Sequence, residues 1–298
     1  MTGVELGPFE LAHREDYLRL LREAWGARAL PPAEFDWWFD GNPAGSLRSV
    51  ATLEGRVVGV AGHTLLRMVL EGEERLATFS VHATTDAAAR GRGIFVALER
   101  RHEAQAAERG AKVALAFASA PTAPLFLGPL GWTEIARYRI WARPLRPRPS
   151  ARQRDLSGTD VAGWDGDAAA GWPNHVVRDD GHLSWRYVES PRGYRILRSP
   201  GGYAVVGSKR HGRLRVGVLA DLAGPRGELR PLLRASTRAA RGLDALIAVP
   251  APEQRRAFLA TGFLPTPRSL HFVGRALTGT LNTDPRAWRF TLGDTDFY

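Results

Sequence analysis

Residues 89–95 read Ala-Arg-Gly-Arg-Gly-Ile-Phe, and the two arginines interleaved with two glycines (Arg90, Gly91, Arg92, Gly93) suit the binding of a pyrophosphate. Glycines let phosphate oxygens approach backbone N–H groups with no Cβ in the way, and guanidinium groups add charge-assisted hydrogen bonds. Neither Gly-Lys-Ser/Thr nor Gly-x-Gly-x-x-Gly occurs, so a P-loop and a dinucleotide fingerprint are excluded. Arginine is a cheap residue in this chain, because only Lys112 and Lys209 among its 41 basic residues are lysines. The stretch therefore gains meaning only from its surroundings, a strand-like run before it and a helical run from Ile94 after it, which aim a helix N-terminus at the same space.

Other residues with chemical capacity are more scattered. His82, just upstream, is a candidate general base, to be weighed against a hydrogen-bonded strand histidine. Ser119 follows a buried-strand run and is either a donor at a reacting centre or a loop-initiating serine. Trp37 and Trp38 could line a pocket or anchor a core, and Glu34, Asp36 and Asp40 beside them could attract a cation or form a solvated acidic face. The eight histidines show no ligand spacing and there is no cysteine, so no metal is expected and a cysteine nucleophile or disulfide is excluded. No Gly-x-Ser-x-Gly elbow occurs.

The elements that must hold these residues follow in order. Tyr17, Leu18, Leu21 and Trp25 recur at helical spacing. Three strand-like runs over 49–85 are separated by Glu54-Gly55 and Glu71-Gly72, which predicts an antiparallel meander. A helix over Ile94–Arg109 ending at Gly110, a strand over Lys112–Ala118, a short helical segment over Pro121–Leu130 and a strand over Gly131–Leu145 complete the first half. The segment 146–172 is rich in Pro and Arg and reads as a linker. The second half, 173–298, repeats the first: "RGAKVALAF" from Arg109 matches "RGLDALIAV" from Arg241, and "FLGPLGW" from Phe126 matches "FLATGF" from Phe258, both at an offset near 132. At that offset Gly93 becomes Pro225, which has no N–H, so the copy over 173–298 is expected to lack the anion site.

Net charge is +10, but the basic residues run along the whole chain among 31 acids, so nucleic acid is not expected as the main partner. No apolar run is long enough for a signal peptide or a membrane span, so a soluble cytoplasmic protein is expected, with its oligomeric state unread.

Arg90-Gly91-Arg92-Gly93-Ile94-Phe95 resembles the Arg/Gln-x-x-Gly-x-Gly/Ala acyl-CoA signature of the GNAT (Gcn5-related) N-acyltransferases, departing from it at Phe95. The resemblance extends to "LATFSVHATT" before the loop, to "KVALAFA" and to the Gly131-Trp132 pair, and covers residues 1–145. Beyond these, "VVRDDGHLSWRYVESPRGY" (Val176–Tyr194) and the ending "WRFTLGDTDFY" resemble the second half of tandem GNAT proteins. The resemblance implies an α/β (α+β) fold of two GNAT-like domains, each a mixed, mostly antiparallel sheet flanked by helices, the second degenerate.

It implies also an N-acyltransferase that takes acetyl-CoA, or another acyl-CoA, as co-substrate. Arg90, Gly91, Arg92, Gly93, Ile94 and Phe95 would hold the pyrophosphate, and Ser80, Val81 and Ala83 the pantetheine and thioester. The amine of a small molecule would attack the thioester directly, with Trp37 and Trp38 lining its pocket. His82 or the terminal carboxylate of Tyr298 would serve as base, and Ser119 would bond the coenzyme sulfur. The tyrosine that commonly protonates the thiolate is replaced by Leu127. Two alternatives stand beside this reading, an aminoacyl-tRNA-dependent (Fem-like) transferase and a non-catalytic acyl-CoA sensor.

Overall fold

Strand β1 (Val4–Pro8) pairs antiparallel with β2 (Ser46–Leu53). Between them lie α1 (Arg14–Trp25), which buries Tyr17, Leu18, Leu20 and Leu21, and α2 (Pro32–Asp40), which opens on a proline in its first turn and buries Phe35, Trp37, Trp38 and Phe39. Strands β3 (Arg56–Leu70) and β4 (Glu73–Thr85) continue the meander. Its two connections are the Glu-Gly pairs read from the sequence. Glu54 and Gly55 have φ of 53° and 75°, and Glu71 and Gly72 have 51° and 82°, the left-handed pairs that two-residue hairpins need to match strand twist.

After β4 a loop leads into α3 (Ile94–Glu108), which returns to β5 (Val113–Ala118), parallel to β4. A short helix, α4 (Ala123–Leu127), and strand β6 (Thr133–Pro144) follow. The computed structural model describes residues 3–145 and 172–296, so the expected linker over 146–172 lies, but for Trp172, outside the described residues.

The second half holds the short strand β7 (Asn174–Val176), helix α5 (Asp180–Leu183) continued by a wider turn over Ser184–Val188, and the meander β8 (Arg195–Ser199), β9 (Gly202–His211) and β10 (Leu214–Ala223). Next come α6 (Arg226–Ala239), β11 (Ala245–Ala248) parallel to β10, α7 (Arg255–Ala260), β12 (Leu264–Ala276), and β13 (Trp288–Arg289) parallel to β7. The repeat seen in the sequence is thus a repeat of elements: α3-β5-α4-β6 recurs as α6-β11-α7-β12. Its matching aromatics are both core anchors, Phe126 with Trp132 and Phe258 with Phe263.

Two compact units emerge, and they are not consecutive halves. One comprises Met1–Met68, Glu73–Ala136 and His271–Pro285; the other comprises Val69–Gly72, Arg137–Leu270 and Arg286–Tyr298. The division at residue 145 expected from the sequence differs from this, because each unit takes a strand segment from the other half of the sequence and Val69–Gly72 joins the second unit. In the first unit, His271–Ala276 of β12 pairs antiparallel with every residue of β5. In the second, Trp141–Pro144 of β6 pairs antiparallel with β11. Each unit is a mixed sheet with helices against it, the expected α/β class.

Candidate functional site

Strands β4 and β5 are paired over only three positions, Ala77↔Val113, Thr78↔Ala114 and Phe79↔Leu115. Beyond Phe79 they part: β5 stays paired with β12 on its other edge, while Ser80–Thr85 of β4 has no strand partner on the β5 side among the described residues. The parting leaves the backbone groups of Ser80–Ala83 that face the β5 side, alternate N–H and C=O groups along the strand, without a sheet partner among the described residues, where sequence reasoning put a ligand.

His82 marks this segment. Its φ of 49° is a conformation rarely adopted by a residue with a bulky side chain, and costs about 1–3 kcal/mol that the surroundings must hold in place. The holding groups are visible: the Tyr17 hydroxyl donates to the His82 carbonyl at 3.1 Å, and the imidazole packs edge-on to Trp25, Trp38 and Phe39 at 6.2, 5.5 and 5.9 Å. The side chain expected to act as base is thus enclosed in the aromatic packing of α1 and α2, with 7% of the residue exposed. What the strain re-aims is the backbone of β4.

The arginine-glycine loop lies where the sequence put it, between β4 and α3. Gly91 and Gly93 have φ of 79° and 74°, and a Cβ at either would meet no atom within 4 Å, so glycine answers to backbone conformation and the space beyond is open. Gly93 is the N-cap of α3, no side chain caps that end, and the first turn carries no acid. Arg90 and Arg92 are exposed; Arg90 Nε reaches the Thr85 carbonyl at 3.4 Å, and Arg92 makes no hydrogen bond or ion pair among the described residues. Free N–H groups, positive helix potential and two available guanidinium groups converge here, a donor set that fits a pyrophosphate.

Ile94 is buried with Leu98 in the core under α3. Phe95 does not crowd the loop, because its ring packs edge-on to Phe126 at 5.5 Å, against the cluster that holds Trp132. Its backbone N–H remains in the first turn of α3.

The second unit tests this reading internally. Its corresponding helix, α6, is capped by Pro225, the residue the offset had paired with Gly93. The loop itself is gone, since only Gly224 and Pro225 separate β10 from α6. A Cβ on Gly224 would stand 3.0 Å from the Gly202 backbone, so the turn is closed by packing. Asp221, three residues before Gly224, adds no exposed charge beside this turn. It is buried on β10 and bound to Arg178 at 2.7 Å.

The other candidates fall as follows. Ser119 is held in a local turn, its hydroxyl 3.0 Å from that of Thr122 and its carbonyl accepting from the Thr122 hydroxyl at 3.1 Å. Trp37 and Trp38 are buried on α2 at an edge-to-face distance of 5.4 Å, and Trp38 Nε1 donates to the Thr64 hydroxyl at 2.7 Å. Asp36 binds Arg14 at 2.8 Å and Asp40 binds Arg48, so two of the three acids beside them are already neutralised. Tyr298 lies outside the described residues.

Two polar networks escaped the sequence reading. The first runs behind β4: the Ser80 hydroxyl donates to Glu99 Oε1 at 2.8 Å, Glu99 Oε2 meets His63 Nε2 at 2.9 Å, and His63 Nδ1 meets the Thr78 hydroxyl at 3.0 Å. His102 stacks edge-on to His63 at 4.6 Å, and burial, with His63 and Arg101 adding to it, holds its imidazole well below the ordinary histidine range. Glu99, His63 and His102 are fully buried. The signal was present in a histidine inside the apolar run of β3 and in polar residues on the inward face of α3.

The second network joins the two segments of the second half singled out above. Arg178 binds Asp221 and, at 2.8 Å, Asp294. Arg186 donates to the carbonyls of Gly293 at 2.6 Å and Thr295 at 3.2 Å. Burial alone would raise the Asp221 carboxyl, but the charges of Arg178 and Arg289 hold it below its ordinary value. Asp294 is thus engaged as an ion-pair partner, and no group of three or more metal-ligating side chains exists among the described residues.

Comparison with known proteins bears on the domain and the fold. Residues 8–135 match the family model described as an acetyltransferase (GNAT) domain. No curated protein matches the chain. Among solved structures it is similar to Eis1 from Mycobacterium abscessus, with 18% identity, 92% of this chain and 73% of that one covered, and a TM-score of 0.57. A putative acetyltransferase from Pyrococcus horikoshii gives 14% identity, 93% and 90% covered, and a TM-score of 0.62. Saccharomyces cerevisiae N-myristoyltransferase with bound myristoyl-CoA gives 12% identity, 92% and 83% covered, and 0.63. At these identities the solved structures establish the fold, and the family model establishes the domain: residues 8–135 are a GNAT acetyltransferase domain.

Proposed function

We propose that the chain is an acyl-CoA-dependent N-acyltransferase that transfers acetyl, or a slightly larger acyl group, to the amine of a small molecule. The observation that carries this reading is the uncapped, acid-free N-terminus of α3 behind two left-handed glycines, set next to a β4 edge that has lost its β5 partner. The N–H groups of Ile94, Phe95 and Val96, with Arg90 and Arg92, would hold the pyrophosphate. The edge amides of Ser80–Ala83 would receive the pantetheine arm and orient the thioester carbonyl, as added strand pairing does for an extended ligand. The co-substrate supplies an activated acyl group: a neutral acceptor amine would attack its carbonyl, forming the C–N bond as the C–S bond breaks, with one group to take the amine proton and a proton donor for the departing thiolate.

The test has two parts. CoA should raise the thermal midpoint of the protein, and Gly93→Pro, which cannot adopt φ near +74°, should lose that shift while keeping its helical signal. Free-thiol release from acetyl-CoA against pooled amines should then identify the acceptor. A Gly93→Pro variant that binds CoA as the parent does would overturn the assignment of the loop.

A further inference from the structure

The sequence spreads its arginines along the whole chain, but the second unit gathers unpartnered ones on one face. Arg226, Arg230, Arg234 and Arg238 recur every fourth residue along α6, and Arg255 and Arg256 lie on the adjoining α7. All six are exposed, and none makes a hydrogen bond or ion pair among the described residues. Several surface arginines elsewhere are matched, Arg14 with Asp36, Arg19 with Asp16 and Glu23, Arg56 with Asp86, Arg67 with Glu74 and Arg100 with Glu103, and unmatched ones such as Arg22, Arg92, Arg195 and Arg213 form no comparable row along one helix.

The repeat supplies the control. Helix α3, the counterpart of α6, carries two arginines against three glutamates, whereas α6 carries four arginines against Glu228 alone. Arginine abundance applies equally to both helices and does not explain the difference. Like charges four residues apart destabilise a helix by about 0.2–0.5 kcal/mol per pair, and α6 holds three such pairs in succession. Arg143 adds to the field from below. Its guanidinium reaches the Thr237 hydroxyl of α6 at 3.1 Å and the carbonyl of Thr261 at the end of α7, neutral oxygens that leave its charge uncompensated.

We infer that the α6–α7 face is a docking surface for the phosphodiester backbone of a nucleic acid. Four residues of helix advance about 6 Å, so the row presents evenly repeated guanidinium forks, and the fork geometry matches phosphate oxygens bidentately. The residues between the forks on the outer side of α6 are Gly227, Pro231 and Ala235, small enough to let a backbone lie close. On α6 nothing aromatic or large and apolar stands among them, and on α7 Leu259 is a lone exposed leucine, which falls short of the apolar surface that base stacking, membrane insertion or an anchored protein interface would need. The surface therefore reads charge and not sequence, and it belongs to a different unit from the arginine-glycine loop before α3.

Fluorescence anisotropy of the full chain with a labelled 20-nucleotide RNA, the matching DNA strand and their duplexes, over a salt series, tests this. Binding of about micromolar strength at low salt is expected, with log K falling against log salt at a slope of about −3 to −4 for four to six phosphates on a single strand. Arg230→Glu/Arg234→Glu should weaken binding at least tenfold without lowering the thermal midpoint, because two of the three like-charge pairs along the row become opposite-charge pairs. It should also leave the CoA-induced thermal shift intact, which keeps this result distinct from failure of the acyl-CoA reading. A charge-matched control, Arg195→Glu/Arg213→Glu on exposed positions elsewhere in the unit, should bind within threefold of the parent. Absence of binding, equal loss in the control, or binding to phosphatidylserine vesicles but to no nucleic acid would each overturn the proposal.

Discussion

At the scale of single residues, the structure changes what Phe95 means. Against the family signature it looks like an obstacle to a phosphate, yet its ring is spent on Phe126 and only its backbone belongs to the loop. Phe95→Ala is therefore expected to cost roughly 1–3 kcal/mol of stability by denaturant unfolding and to change CoA affinity less than twofold. Tighter CoA binding in that variant would show that the side chain reaches the loop after all. The buried histidines make a second prediction. Burial lowers His102, and burial with Arg178 and Arg186 pushes His182 down to about 3. Both remain neutral in the native state while the unfolded chain takes up protons below about pH 6.5. The unfolded state then binds more protons, so their contribution is complete above that pH and is lost as pH falls, by up to about 1.4 kcal/mol per unit for each histidine. Thermal midpoints measured from pH 7.5 to 5.5 should decline, and His102→Gln should flatten the slope.

At the scale of elements, the C-terminal segment is held by a clamp that its sequence did not announce. Arg178 and Arg186 come from the turn before and the helix after Asp179, and they grip Asp294, Gly293 and Thr295 from inside the second unit. Arg178→Met would leave two carboxylates without their shared cation, at a cost of about 3–5 kcal/mol. Carboxypeptidase should then trim the chain past Thr295 faster than in the parent; unchanged trimming would mean the segment is held by packing alone. Much of the element order was legible beforehand, because Glu-Gly pairs, the Gly110 stop and alternating runs act locally. The repeat offset of 132 holds from the caps of α3 and α6 onward, and fails upstream because the second copy shortened its strand-to-helix connection. Glu99 and His102 were missed because polar residues on a helix read as solvated until a buried partner such as His63 is known.

At the scale of the whole molecule, sequence order and structural membership part company. A boundary near residue 145 is what composition suggests, because a Pro- and Arg-rich segment follows it, but strand exchange leaves no mark on hydrophobic pattern. A fragment ending at 145 lacks His271–Ala276, and so leaves the whole outer edge of β5 without hydrogen-bond partners. Expressed alone, it is expected to aggregate or to unfold without a cooperative transition, whereas the full chain stays monodisperse at the same concentration. Recovery of a soluble, CoA-binding fragment would show that β12 is dispensable to the first unit. The exchanged strand also bears on how the chain is made. By the time β5 has left the ribosome, roughly 150 further residues must still be polymerised before its neighbour exists, about 10–30 s at ordinary elongation rates. Throughout that interval the nascent first unit carries a raw strand edge, which makes the early chain a natural client for a ribosome-associated chaperone.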